Sequence, residues 1–319
     1  MKIDKNVRRG WRIPTSDTPK RLAEALEWLD LHHGRAQRYQ QLCDEFARKG
    51  THSRDQFFAY HEACGLLDIF YAWKDQLAHF PDIRSHIREV FKSGPLLSDD
   101  EIPGGANNRP RSSAFVFLLS GKLLHLKDVK VLCVDGSCNR SLLEPNHIDT
   151  LADISIQWNG VKINIECKRP LGLAGVTRCA KEAVGQINDS GRVTNLGIVG
   201  IDFSRVIREK YGYLMAPSQD VAAKHLIDEL QSHADGLAIK GTNILGVVAF
   251  CRVPFLTPRN STILQPDGRP FRSKPRSNSG SHYLFIANAT SPHSSLMSSL
   301  SEGFGTTQYD VPERPLPLD

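Results

Sequence analysis

Asp153, Glu166 and Lys168 are the residues of this chain whose types and spacing could support chemistry. All three lie in one stretch, DISIQWNGVKINIECK, at 153–168. Ile154, Ile156 and Trp158 alternate there with polar residues, and so do Val161, Ile163, Ile165 and Cys167. A period of two is that of a half-buried strand. Between the two runs stands Asn159-Gly160, suited to a two-residue turn because both central positions need positive φ. Such a turn fixes the register: Trp158 faces Val161, and counting outward brings Asp153 opposite Glu166. Facing side chains share one face at about 4.5–5.5 Å between Cβ atoms, and like charges there repel. Lys168, two residues on, shares that face. Two facing carboxylates make an oxygen site for a divalent cation, and an ammonium beside them can hold an anion. The plain alternative is a strand whose solvated face happens to be charged.

Ala152-Asp153, the strand–turn–strand, and then Ile165-Glu166-Cys167-Lys168-Arg169-Pro170 resemble the motif of the PD-(D/E)xK nuclease superfamily, the restriction-endonuclease-like fold. The resemblance covers roughly residues 110–205, with weaker extension to about 290. It implies an α/β (α+β) fold with an αβββαβ core and a mixed sheet. It also implies that Asp153 and Glu166 hold Mg²⁺ (or Mn²⁺), that the Cys167 backbone carbonyl joins them, and that Lys168 orients the attacking water. Gln186, on the helix that follows, resembles an accessory position of some relatives. Two departures stand out. Ala152 replaces the proline of the motif, and the preceding helix, RSSAFVFLLSGKLLHL, contains no acid. The second departure bears on any additional metal ligand and on a two-metal mechanism.

Several function classes lack their residues. There is no G-x-x-x-x-G-K-[ST], no G-x-G-x-x-G after a strand, no H-E-x-x-H and no G-x-S-x-G. The longest apolar runs are far too short to span a bilayer, so no membrane partner is expected. The 319 residues are 40% hydrophobic and 24% charged, with a formal net charge of +5. That composition suits a globular protein, and the charge permits nucleic acid without specifying it. Seven cysteines, an odd number without C-x-x-C, argue against a zinc site or a disulfide framework and for a reducing cytoplasm.

The elements that must position the site follow in order. Residues 1–13 form a basic arm, and four helices are expected over 18–91: from Thr18, over Arg35–Lys49, from Ser53 with a bend near Gly65, and over Ile83–Phe91. Together they read as an all-α domain at 1–95, and their aromatic residues read as core. The stretch 96–112, rich in Gly, Pro, Asn and Asp, reads as a linker. The nuclease-like domain follows at 113–290, with strands at Val129–Val134, in the hairpin, at Leu196–Phe203, Ile244–Cys251 and Tyr283–Ala287, and helices at Thr177–Asn188 and Gln219–Ala234. Between Arg252 and Gly280 a long loop carries six basic residues against one acid. Long loops are commonly functional or unstructured. With Arg169, its residues Arg269, Arg272, Lys274 and Arg276 are the candidate phosphate contacts. Residues 291–319, rich in Ser and Pro, read as a flexible tail.

The expectation is therefore a metal-dependent nuclease, an endonuclease in form, acting on DNA with RNA left open. A homodimer or a protein partner would use the helical domain. The rival is a catalytically inactive module of the same fold that binds nucleic acid or a protein.

Overall fold

The structure, a computed structural model, describes residues 17–48, 53–92, 109–142, 152–189, 196–237, 239, 241–257, 276–278 and 280–306. Four helices come first: α1 Thr18–Trp28, α2 Arg35–Arg48, α3 Arg54–Trp73 and α4 Ile83–Lys92. A proline sits in the first turn of α1. Ser53 and Gln56 close a reciprocal capping box on α3: the Ser53 hydroxyl accepts from the Gln56 N–H, and the Gln56 side chain accepts from the Ser53 N–H. α3 is not broken near Gly65 but continues through it to Trp73. The glycine makes room for a neighbour, because a Cβ there would stand 3.3 Å from the Arg252 Nε.

α5, Arg109–Leu123, begins a few residues before its expected start. It crosses α3 closely at Gly121, where a Cβ would meet that of Ala72 at 2.8 Å. The Trp73 indole N–H donates to the Phe117 carbonyl across the same contact.

The strands are β1 Val129–Val134, β2 Ser137–Cys138, β3 Ile154–Trp158, β4 Val161–Lys168, β5 Leu196–Asp202, β6 Leu214–Met215, β7 Ile244–Cys251, β8 Phe255–Thr257, β9 Arg276–Asn278 and β10 His282–Ala287. The remaining helices are α6 Val176–Asp189, α7 Ser204–Tyr211, α8 Gln219–Asp235 and α9 Ser295–Thr306. The molecule is thus mixed α/β. Seven strands form one mixed sheet in the order β10-β7-β5-β4-β3-β1-β2, and β6-β8-β9 form a small second sheet. β4 pairs antiparallel with β3 and parallel with β5.

Helices cover both faces of the large sheet. On one, Ile163, Ile165 and Cys167 join Leu22, Leu42, Trp73, Phe115 and Phe250 in a single core. On the other, Val199, Ile201, Val247 and Ala249 pack with α6, α7 and α8 through residues such as Ala183, Ile207 and Leu226. β4 was expected to be half-buried, yet Ile163 to Cys167 are all buried. The reason is its place as the fourth of seven strands with layers above and below.

Three other expectations change. The helices of the first hundred residues share their core with the sheet, and most of the expected linker, 96–108, lies outside the described residues. The basic loop is bounded by β8 and β9, which pair with each other, and its centre, 258–275, is outside the described residues. The tail contains α9, whose Met297, Leu300 and Phe304 are buried in the main core. Those three share one helical stripe, masked in the sequence by the serines around them. No helix among the described residues is long and apolar enough to cross a membrane. The basic arm at 1–13 is outside the described residues.

Candidate functional site

The hairpin turn has the geometry its sequence demands. Asn159 and Gly160 have φ of 48° and 79°, and the ladder runs from Trp158 opposite Val161 to Ile154 opposite Ile165. One further step places Asp153 at Glu166, just before β3 begins. The Asp153 carboxylate turns to β4 there and accepts a 2.7 Å hydrogen bond from the Cys167 N–H. In a strand the N–H and C=O of one residue point to the same side, so the Cys167 carbonyl is also directed toward Asp153 and away from β5. The Cys167 side chain points to the core against Gly200 and Phe115, and burial pushes its thiol pKa well up. It is packing, not a nucleophile.

Glu166 is 5% exposed. Lys168 Nζ lies 3.5 Å from its Oε2. Deeper on this face, the Ser155 hydroxyl donates 2.8 Å to the Asn164 Oδ1, so neither buried group is left unmatched. Burial drives the Glu166 pKa up to about 7; the negative charge of Asp153 adds to the rise, and Lys168 opposes it. Asp153 is raised too, first by burial and then by Asp135, against the Cys167 N–H and Lys168. The pair therefore holds a proton more tightly than ordinary carboxylates, the behaviour of two acids sharing one desolvated site. A cation could take that proton's place.

Asp135 was not anticipated. It stands in an Asp135-Gly136 turn between β1 and β2, with φ of 46° and 80°, and its N–H donates 2.9 Å to the Asp153 carbonyl. His86 Nδ1 is 3.7 Å from its carboxylate. The Asp-Gly pair was the available signal, since it marks a tight hairpin next to the acid-bearing one. Cys133 and Cys138 are joined by a disulfide across this turn. That corrects the expectation of an all-reduced chain: one bridge closes a short hairpin, while the other five cysteines are free.

The other candidates separate from the pair. Gln186 is exposed on α6, ten residues after its first residue, Val176. Arg169, taken as a phosphate contact, faces the opposite side of the sheet. Its side chain is 3% exposed, with Nε 3.3 Å from the Asp202 carboxylate. The alternation of the strand sends it there, one residue past Lys168. Arg269, Arg272 and Lys274 lie outside the described residues, and Arg276 opens β9 opposite Thr257.

Among the described residues no group of three or more His, Cys, Asp or Glu side chains is arranged to hold a metal. Asp153, Glu166 and the Cys167 carbonyl make a hard-oxygen set with two carboxylates. That set suits Mg²⁺, which is commonly bound through one or two carboxylates while keeping several waters. Comparison with family models, with curated proteins and with solved structures gives no match.

Proposed function

We propose that this chain is a Mg²⁺-dependent nuclease that hydrolyses phosphodiester bonds of DNA through Asp153, Glu166 and Lys168. The observation that carries the reading is the desolvated acid pair at the start of β3, with Lys168 Nζ 3.5 Å from Glu166. The succession of α5, β1, β3, β4, α6 and β5 supports a restriction-endonuclease-like core as the finer description of the fold.

A divalent cation bound there would supply Lewis-acid polarisation of a phosphate and a lowered pKa for water. Asp153, fixed by the Cys167 N–H, and Glu166 would hold it, with the Cys167 carbonyl between them. Glu166 would have to give up its proton for a cation to bind, so affinity would rise with pH. Lys168, already beside Glu166, would orient the attacking water and balance charge that develops on the phosphate. The inactive-module reading draws on α5, whose sequence from Arg109 to Leu123 has no acid.

The test is cleavage of closed circular DNA, linear DNA and RNA with Mg²⁺ or Mn²⁺. DNA cleavage is expected, including nicking of the circle. Asp153→Ala, Glu166→Ala and Lys168→Ala should each lower the rate by about 100-fold or more. Undiminished cleavage in any two of them overturns the site. Binding without cleavage selects the module.

A further inference from the structure

The disulfide of the edge hairpin lies on the face that carries the acid pair. β1 and β3 fall out of step between Val131 and Cys133, and this bulge reverses the alternation of β1. Val131 and Val134 therefore both face the main core, while Cys133, opposite Ser155, turns to the other side. Ser155 is two residues from Asp153, and its partner Asn164 is two from Glu166, so all of them share that side with Cys133. Cys133 is bonded to Cys138 directly across the β1–β2 pair. The turn between them carries Asp135, whose N–H donates 2.9 Å to the Asp153 carbonyl and whose charge acts on the Asp153 carboxylate. Asp153 lies beyond the β3 ladder. Two hydrogen bonds hold it there, from Asp135 N–H on one side and from Cys167 N–H on the other.

The turn depends on the bridge. β2 is two residues long and stands last in the sheet. It meets β1 at Val134–Ser137 and Cys133–Cys138, and a pairing so short is marginal in water. In a two-residue hairpin the pair next to the turn is hydrogen-bonded and the following one is not. At Cys133–Cys138 the covalent bond is therefore the cross-link. Further out, the Asn139 N–H donates 2.7 Å to the Leu132 carbonyl, which anchors the outer end of the hairpin and leaves the turn to the bridge. Asp135 keeps a φ of 46°, a left-handed backbone that is uncommon outside glycine. Cys133 is buried and Cys138 half-buried, so Cys138 Sγ is the sulfur that a thiolate can reach.

We propose that the Cys133–Cys138 bond is a redox switch on the acid site: closed, it holds Asp135 against Asp153, and reduced, it releases the turn, loosens Asp153 and weakens cation binding. A small dithiol opens it by exchange. One thiolate of the dithiol attacks Cys138 Sγ, the S–S bond breaks, and Cys133 leaves as a thiolate that takes a proton. The second thiol of the reductant then attacks the mixed disulfide and frees Cys138 as a thiol. Two electrons pass to the protein, and the reductant ends as its own disulfide. Release of the turn takes both the Asp135 N–H and its negative charge away from Asp153, and both losses disfavour a bound cation. The effect on the cation rests on the metal-site reading above; the effect on Asp153 does not.

The experiment compares the oxidised full chain with the same chain after millimolar dithiol, removed without air, and with the double variant Cys133→Ser/Cys138→Ser. Thiols titrated after unfolding should rise from five to seven on reduction. Amide hydrogen exchange in EDTA, read by NMR, follows Asp153 without a cation. Reduction should speed exchange of the Asp135 and Cys167 N–H groups about tenfold or more and leave Ile198, in the centre of the sheet, unchanged. Titration with Mn²⁺ should then give a Kd about tenfold higher for the reduced chain. The double variant should match the reduced chain and ignore the dithiol; if it does not fold, the reduced wild type decides alone. A bond that the dithiol leaves closed in the folded chain overturns the proposal. So does unchanged exchange at Asp135 and Cys167, or equal Mn²⁺ affinity in the two forms. Absence of Mn²⁺ binding in both forms overturns the metal-site reading, and the exchange rates alone then decide whether the bond governs Asp153.

Discussion

The end of β4 presents two faces with opposite electrostatic problems. On the α6 face, Asp153 and Glu166 crowd two negative charges into a desolvated corner beside one ammonium. On the α3 and α5 face, Arg169 is locked to Asp202 among several other guanidinium groups. The first face relieves its strain by holding a proton, which a cation can replace. The second relieves it by ion pairs within the protein. The same strand end therefore shows both ways of keeping charge away from water: shifting protonation, and pairing.

The largest difference expected between the faces is in stability. Arg169→Met would remove an ion pair from the buried Asp202 carboxylate. A loss of roughly 3–5 kcal/mol in urea unfolding is expected. Lys168→Met, on the other face, removes a cation from a pair that can protonate, so its cost should be much smaller. Equal losses would erase the distinction.

Next comes pH dependence in the metal-free protein. The Glu166 pKa is raised in the fold, so its contribution is fully present below the unfolded value near 4.5 and is lost as pH rises through about 7. At 1.36 kcal/mol per unit, wild type should lose about 3 kcal/mol relative to Glu166→Gln between pH 4.5 and pH 8. Parallel stability curves for the two proteins, measured in EDTA, would show that Glu166 is not held protonated.

A slightly smaller effect concerns the cation. At a hundredfold excess over Kd, Mn²⁺ should stabilise wild type by about 2.7 kcal/mol. Asp153→Asn should lose most of that gain. Without the cation this variant should melt no lower than wild type, because one of two facing charges is gone. A wild-type melting curve that does not move with millimolar Mn²⁺ at constant ionic strength contradicts a metal site.

The smallest effect is in salt dependence. Neutralising Arg269, Arg272, Lys274 and Arg276 together should flatten the slope of log binding constant against log salt by about 0.9 for each phosphate that the protein no longer neutralises. An unchanged slope makes the segment a bystander.

These two faces differ also in how far the sequence discloses them. Asn159-Gly160 sets a register that carries through five ladder pairs, so the meeting of Asp153 and Glu166 was readable from one stretch. The strands Val129–Val134 and Ile244–Cys251 were readable too, from stretches rich in β-branched and apolar residues. The arginine cluster of the other face was not. Its residues stand at 35, 111, 169, 208 and 252, and only the crossing of α3 and α5 over the sheet brings them together. Gly65 read as a break because glycine is a poor helix former, yet it is the contact point for Arg252. α9 was hidden because serine-rich composition outweighed three apolar residues at helical spacing. Asp135 acts through its backbone and its field, and its one signal in the sequence is the Asp135-Gly136 turn.

One peptide bond joins Lys168 to Arg169, and with it the two faces. Lys168 ends the β4 ladder opposite Ile201 of β5, and Asp202 is the next residue along β5. A small rotation of this strand end moves both side chains at once, in opposite directions. A ligand that prefers one setting of the strand end on its own face would alter the affinity of any ligand that also distinguishes those settings on the other. The two effects are equal by thermodynamic reciprocity, whichever ligand arrives first. The alternation of a single β-strand thus places the two charge problems back to back through the thickness of the sheet.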